Sequence, residues 1–436
     1  MHRLNDPINR GGAETQRRQI NLFPLCVSAV KNRIMKSLDT KISNIRSDPG
    51  KAKDFILADA KDADMAFGLA SPGKDPLTGK TRSLQDYRDQ MREIVRQGLV
   101  DIMLMSASSS EHLTIRERLF DHSTVTPAVR ANDTTDIHLL TGGTYAAEPS
   151  RPFRTATIEQ IQSGKINPEP HERRLGADLG LYSMTINNNL AFDYPTLEAY
   201  RQFRIEAEQK NFRHFLEVFD PNACGHSCPS NIGRFLNDLI ARTLAGVPSS
   251  GRPLFLKMPF HGRAAMEELV AYDPYLIPGI LGGSAGTTYD AFRLLEEARE
   301  SGARAALFGR KINTCEHQLT FVKYLRAIAD AQLKSADAVK AYHADLEKFK
   351  IKPTRALKED LQASSTASAY SGTTTSSTKF SKPSVAATRT VIPAPAAPPL
   401  KPDGSPDFKK MTAPQKVAYS RSRIASDSSR GSNGAK

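Results

Sequence analysis

A chain of 436 residues, 39% of them hydrophobic, has room for two or three average domains or for one large domain with an appendage. Its formal charge of +13 looks like a nucleic-acid footprint until it is located: from residue 351 onward fourteen Lys and Arg face five Asp and Glu, leaving only +4 for the first 350 residues. That near balance argues against a nucleic-acid-binding domain, and no window approaches the roughly twenty apolar residues of a membrane span.

Near the start, INLFPLCVSAV follows Arg17 and Arg18 but is interrupted by Asn21 and Pro24 and lacks a small-residue cleavage pattern, so it does not read as a signal peptide. SAVKNRIMKSLDTKISNIRSD reads as a helix packed across the bottom of the domain that follows, which makes residues 1–53 an arm and a helix. Short apolar runs then alternate with stretches of helical periodicity. The runs are FILADA from Phe55, VDIMLM from Val100, VTPAVRA from Val125, LYSMTI from Leu181, FRHFLEVF from Phe212, PLFLKM from Pro253, LIPGILGG from Leu276 and AALFGR from Ala305.

Between them lie SLQDYRDQMREIVRQG, TLEAYRQFRIEAEQKN, SNIGRFLNDLIARTLAG and TTYDAFRLLEEARESG, each opening on Ser or Thr as an N-cap and closing on Gly or Asn. Strand and helix in alternation imply parallel strands with crossovers, and eight such units predict an α/β fold, a TIM (β/α)8 barrel over residues 54–333. A doubly wound open sheet is the competing arrangement. About fifty residues separate the third and fourth runs, more than one helix needs, and predict an insertion over the top of the barrel. SADAVKAYHADLEKFK is a terminal helix over 334–350. The remainder, 351–436, is rich in Ser, Thr, Pro and Ala and reads as a disordered basic tail that could dock an anionic partner.

In such a barrel the chemistry sits at the C-terminal ends of the strands. LGGSAGT and FGRKI close the seventh and eighth runs, and their glycines let backbone N–H groups approach an anion, the usual place for a phosphate, with Arg310 adding charge. Lys257 interrupts the apolar sixth run. By strand parity it shares a face with Phe255 and points into the barrel, where loss of water would lower its pKa and free an amine able to attack a carbonyl. The alternative is a paired structural charge. Glu217, flanked by Leu216 and Val218, is costly to bury without a partner, while Asp59 and Asp62 follow the first run; these acids offer proton transfer or partners for Lys61, Arg130 or Arg310.

The order of Lys257, then Gly282 and Gly283, then GARAALFGRKI resembles the class I, Schiff-base aldolases of the archaeal fructose-bisphosphate, tagatose-bisphosphate and deoxyribose-phosphate group, over roughly Asp54 to Asp330. The resemblance implies that Lys257 forms an iminium and that Gly282, Gly283, Ser284, Gly309 and Arg310 hold a substrate phosphate. It matches the family's first-strand aspartate to Asp59, with Asp62 as the fallback. The fourth run carries no second lysine and ends in Asn187, Asn188 and Asn189, so the proton-transfer group stays open between Glu217, Tyr182 and Asp59.

Cys224, His226 and Cys228, with His261, lie after the fifth run. Structural zinc sites show tighter, paired spacing, so these read as reduced loop cysteines and no metal or other cofactor is expected. Four cysteines make no disulfide framework, which points to a reducing, cytoplasmic setting. The expected activity is that of a carbon–carbon lyase on a phosphorylated sugar or keto compound, without a membrane or nucleic-acid partner and compatible with a homo-oligomer. Two alternatives remain: another phosphate-binding barrel enzyme, an isomerase or synthase without imine chemistry, or a non-catalytic barrel scaffold with an interaction tail.

Overall fold

A computed structural model describes residues 34–75, 79–138, 140–283, 286–364, 399–403, 405–412, 415, 416 and 419. The chain divides into two units, 1–374 and 375–436. In the first, the eight expected runs become β1 (Ile56–Lys61), β2 (Ile102–Met105), β3 (Thr126–Arg130), β4 (Leu179–Thr185), β5 (Arg213–Phe219), β6 (Leu256–Lys257), β7 (Gly279–Leu281) and β8 (Ala305–Phe308). All are parallel and pair in chain order, and β8 returns to β1. The seam between β6 and β7 is closed by the Met258–Ile280 bridge, with Met258 donating to the Gly279 carbonyl (3.0 Å) and Leu281 donating to the Met258 carbonyl (3.0 Å). The sheet is therefore a closed (β/α)8 barrel and not an open one.

Parity sorts the strand residues into two layers. Ile56, Ala58, Leu104, Ala128, Leu181, Phe215, Phe255 and Leu307 fill the barrel interior, with Phe215 and Phe255 stacked at 4.5 Å between ring centroids. Their neighbours Leu57, Met103, Val129, Leu216 and Leu256 face the helices. The expected bottom helix is α1 (Ser37–Ser47), and its Leu38, Ile42 and Ile45 join the interior cluster as a plug. Burying each such side chain contributes about 1.5–3 kcal/mol.

Helices follow the strands: α2 (Leu84–Gln97), α3 (Leu190–Gln209), α4 (Ile232–Ala245), α5 (Arg263–Tyr272), α6 (Thr288–Glu300), α7 (Gln318–Ala329) and the terminal α8 (Ser335–Lys348). Ser83 and Thr287 cap α2 and α6 through reciprocal bonds with Asp86 and Asp290. The cap of α4 is Asn231 rather than Ser230. Helix α3 starts six residues before the expected Thr196, on an Asn189 cap, and carries Pro195 inside it, past the first turn, so the backbone bond that an N–H there would donate is forgone.

The expected insertion lies between β3 and β4. It holds a short antiparallel pair, Asp133–Thr134 with Pro152–Phe153, and a helix at Ile158–Ser163. Two polar residues fasten it to the barrel top. Asp136 accepts from Ser150 (2.8 Å) and Thr185 (2.9 Å), and Asn222 of the β5 loop donates to the Glu148 carbonyl (2.7 Å).

The start of the expected disordered tail needs correction. Residues 351–364 pack back on the first unit, with a helical turn at Leu357–Asp360. Asp360 accepts from the Thr288 backbone N–H at the start of α6 (2.7 Å) and pairs with His343 (2.9 Å), while Ser364 Oγ donates to Asp290 (2.8 Å). A carboxylate on an open helix N-terminus is the physical reason this polar stretch is ordered. Residues 365–398 of that expected tail lie outside the described residues. In the second unit, Leu400 and Pro406 form a small antiparallel bridge. No helix among the described residues is long and apolar enough to cross a membrane.

Candidate active site

Register builds the site before any loop does. Ser183 pairs with Glu217 across β4 and β5, and Glu217 pairs with Lys257 across β5 and β6, so three inward side chains stand in one row near the C-terminal ends of neighbouring strands. Lys257 Nζ lies 2.6 Å from Glu217 Oε1, and Ser183 Oγ donates to Glu217 Oε2 at 2.6 Å. Glu217 and Lys257 are both buried. Ser183 is held in turn by Asn132, which accepts from its backbone N–H (2.6 Å) and donates to its carbonyl (2.8 Å).

Arg130, at the end of β3, ties this row to the first strand. Its Nε lies 2.6 Å from Asp62 Oδ2, its Nη1 donates to Ser183 Oγ at 3.1 Å, and its Nη2 lies 3.5 Å from Glu217 Oε2. Burial alone would raise the Asp62 pKa, but the charges of Arg130 and then Lys257 outweigh it and hold the group below the ordinary aspartate value. Asp133 is 3.6 Å from Arg130 Nη1. Burial pushes its pKa up to about 7: the arginine charge opposes the rise, while Asp62 and Glu217 add to it.

Lys257, Glu217, Arg130 and Asp62 line a cavity of about 80 Å³ that opens at the barrel mouth. Gly282, Gly283, Gly309 and Arg310 line it too, so the loops after β7 and β8 face the same space as the lysine. A side chain at Gly282 would run into the Phe308 ring, and one at Gly309 into the Ala60 carbonyl, so glycine here is demanded by the tight closure of the barrel. The Arg310 guanidinium lies over the Phe67 ring, 5.6 Å from its centroid. Ser284 lies outside the described residues.

Two expected site residues are elsewhere. Asp59 points away from the cavity into the helical layer, because Ile56, Ala58 and Ala60 take the inward positions of β1. Fully buried, Asp59 pairs with Lys61 at 3.2 Å, and Lys61 also donates to Asn313 and, at 3.0 Å, to Gln318. Desolvation raises the Asp59 pKa and lowers that of Lys61, each opposed by the other's charge. Asp62, the fallback, occupies the cavity wall instead. Tyr182 also faces outward, packed against Tyr200 and Phe203, where burial raises its pKa. Arg130 and Ser183 were not singled out as site residues, although the parity that turns Lys257 inward turns both of them inward as well.

The cysteines after β5 need a second correction. Cys224 and Cys228 are joined in a disulfide, not held as reduced thiols, since the turn at Gly225–Ser227 brings their Cα atoms to 4.8 Å. His261 is paired with Asp220 at 2.7 Å. Among the described residues no three His, Cys, Asp or Glu side chains gather as metal ligands.

No protein-family model matches the chain, and no curated protein matches it in sequence. Solved structures do. A fructose-bisphosphate aldolase from Slackia heliotrinireducens DSM 20476 superimposes with a TM-score of 0.52 at 14% identity, covering 70% of this chain and 91% of that one. An archaeal fructose 1,6-bisphosphate aldolase matches at 0.49 and 13%, covering 67% and 99%. Orotidine 5'-phosphate decarboxylase from Pyrococcus horikoshii OT3 matches at 0.35 and 12%, covering 63% and 99%. At these identities the likeness concerns the fold alone, and the chain has the barrel architecture of the Slackia aldolase.

Proposed function

We propose that the protein is a carbon–carbon lyase of the class I aldolase type, acting on a phosphorylated sugar or keto compound through a Schiff base on Lys257. The observation that carries this reading is the placement of the Lys257 amine, with Glu217 at 2.6 Å, in one cavity with the glycine loops after β7 and β8. Those loops and Arg310 hold the phosphate and set the carbonyl carbon against the amine.

Glu217 takes a proton from the Lys257 ammonium, and the neutral amine attacks the carbonyl carbon. A carbon–nitrogen bond forms, and the carbonyl oxygen takes the proton back to give a carbinolamine. Glu217 then carries the surplus proton from the nitrogen to that hydroxyl, which leaves as water and produces an iminium. Electrons of the carbon–carbon bond one carbon away flow into the iminium as the bond breaks, and a carboxylate removes the hydroxyl proton of the departing aldehyde. The resulting enamine is protonated at carbon, and water hydrolyses the iminium to release the second product. Glu217, beside the amine, serves the first transfers, and Asp62, held by the Arg130 Nε, serves those further from it.

Borohydride reduction in the presence of phosphosugars tests the reading: adduct mass is expected on the peptide containing Lys257 and is lost in Lys257→Met. Turnover without any trappable adduct, or unchanged activity in Lys257→Met, defeats it. The Lys257–Glu217 ion pair also suits a second reading, an isomerase or synthase in which the lysine acts only as a charge; activity without adduct selects that one.

A further inference from the structure

Residues 351–364 fasten to the elements that follow both glycine loops. Thr354 donates its backbone N–H to Glu316 (2.8 Å), two residues beyond the short helix Arg310–Thr314 that follows β8. The stretch then reaches the start of α6. There Asp360 accepts from the Thr288 N–H (2.7 Å), the Gln362 carbonyl accepts from the Thr287 hydroxyl (2.9 Å), and Ser364 donates its hydroxyl to Asp290 (2.8 Å). His343 of α8 pairs with the other carboxylate oxygen of Asp360 at 2.9 Å.

These bonds complete the α6 cap. The Thr287 hydroxyl has one proton and lies nearer the Gln362 carbonyl (2.9 Å) than Asp290 (3.1 Å). The buried Asp290 carboxylate therefore depends on Ser364, whose hydroxyl and backbone N–H (3.2 Å) both donate to it, and stripping a buried carboxylate of its donors is costly. Gly286, immediately before the cap, has a φ of +92° and no room for a side chain against Asp290. Its carbonyl accepts from Lys311 Nζ (3.0 Å), and Lys311 is the residue after Arg310. Lys311 thus joins the two loops, and Gly282 and Gly283 of the cavity wall stand shortly before a cap that the C-terminal stretch holds in place.

We propose that residues 354–364 form a strap that positions the glycine wall, with Asp360 as its positioning residue, so that affinity for a phosphate depends on a segment outside the eight strand–helix units. The inference rests on the reading of the glycine wall as a phosphate site, but not on imine formation. Asp360 does not line the cavity and acts through Thr288 and the cap. Without its bond, Gly286 and the glycines before it sample more conformations, and binding a phosphate must then also order them. A carboxylate acting only as a repelling charge has the opposite sign, since removing it would tighten phosphate binding.

The test measures binding of inorganic phosphate and of fructose 1,6-bisphosphate to the full chain by calorimetry, with amide hydrogen exchange across β7 and the start of α6. Asp360→Ala, checked for an intact melting transition, is expected to weaken both ligands by about tenfold and to speed exchange at the start of α6. Asp360→Asn still offers an oxygen to the Thr288 N–H and is expected to stay within about threefold of wild type. Ser364→Ala, which removes the hydroxyl bond to Asp290, carries the same expectation as Asp360→Ala and replaces it should that variant not fold. Tighter binding in Asp360→Ala and Asp360→Asn alike overturns the inference. Folded alanine variants that bind both probes as wild type does also overturn it, and leave the phosphate reading standing. A wild type that binds neither probe removes both.

Discussion

Lys257 and Glu217 are register partners on adjacent parallel strands, and their side chains meet at 2.6 Å inside the barrel mouth. Neither is stably buried as an ion without the other. Glu217→Gln keeps the shape but leaves the ammonium without its countercharge. Stability is expected to fall by about 3 kcal/mol in urea titrations, and kcat/KM on the trapped substrate to fall by about 10²–10⁴-fold. A variant as active as wild type would remove Glu217 from proton transfer.

Asp59 and Asp62 exchange roles between the linear sequence and the folded chain. Asp59→Asn is expected to lower stability by about 3–5 kcal/mol, since it leaves the fully buried Lys61 short of its charge partner, with kcat/KM changed by no more than about threefold. Asp62→Asn is expected to lower kcat/KM by about a hundredfold. Paired urea and steady-state measurements on the two variants decide the assignment, and the opposite pattern would return Asp59 to the site.

Asp133 makes stability depend on pH with a definite sign. Its folded pKa of about 7 lies above the ordinary 3.8, so the folded chain holds this proton more tightly than the unfolded chain does. The contribution is fully present below about pH 4 and is lost as pH rises through about 7. Asp133→Asn removes the titration. Relative to the variant, wild type should lose on the order of 3 kcal/mol between pH 4 and pH 8, and parallel curves from chemical denaturation across that range would refute the assignment.

The Cys224–Cys228 link closes a very short loop, so its effect on stability is small, at most about 2 kcal/mol from loop-closure entropy. Alkylation of the native, non-reduced protein followed by peptide mass spectrometry should leave both residues unlabelled. Cys315, half-buried with its thiol pKa pushed up to about 12 by desolvation, should also react slowly until the chain is unfolded. Labelling of Cys224 and Cys228 without reductant would show the thiol state.

The eight strands were legible because each is a short apolar run and most stand beside a capped amphipathic helix, and the inward turn of Lys257 followed from counting two residues at a time along β6. On β1, where Asp59 was matched to the site by resemblance alone, the sequence offered no such marker. Both faces of FILADA are buried, and its interior side is mostly small, so hydrophobicity does not mark which aspartate faces in. Arg130 was open to the parity argument but sits in a run ending in polar residues, where nothing local announces a site. Ile137, part of the cavity wall, could not have been placed: its position depends on Asp136 reaching Ser150 and Thr185. The ordering of residues 351–364 was equally hidden, since it comes from Asp360 and Ser364 meeting α6 rather than from an apolar face of their own.

The seam between β1 and β8, in register from Ile56 with Ala305 to Asp59 with Phe308, joins the two extremes of the barrel sequence. During synthesis, the first seven strands must wait with two unpaired edges until the last one emerges. The long-range pairing that completes the mouth therefore comes late, against the loop-closure entropy of nearly the whole domain. A nascent chain stalled before Ala305 presents open parallel edges to its neighbours and is the species most exposed to aggregation.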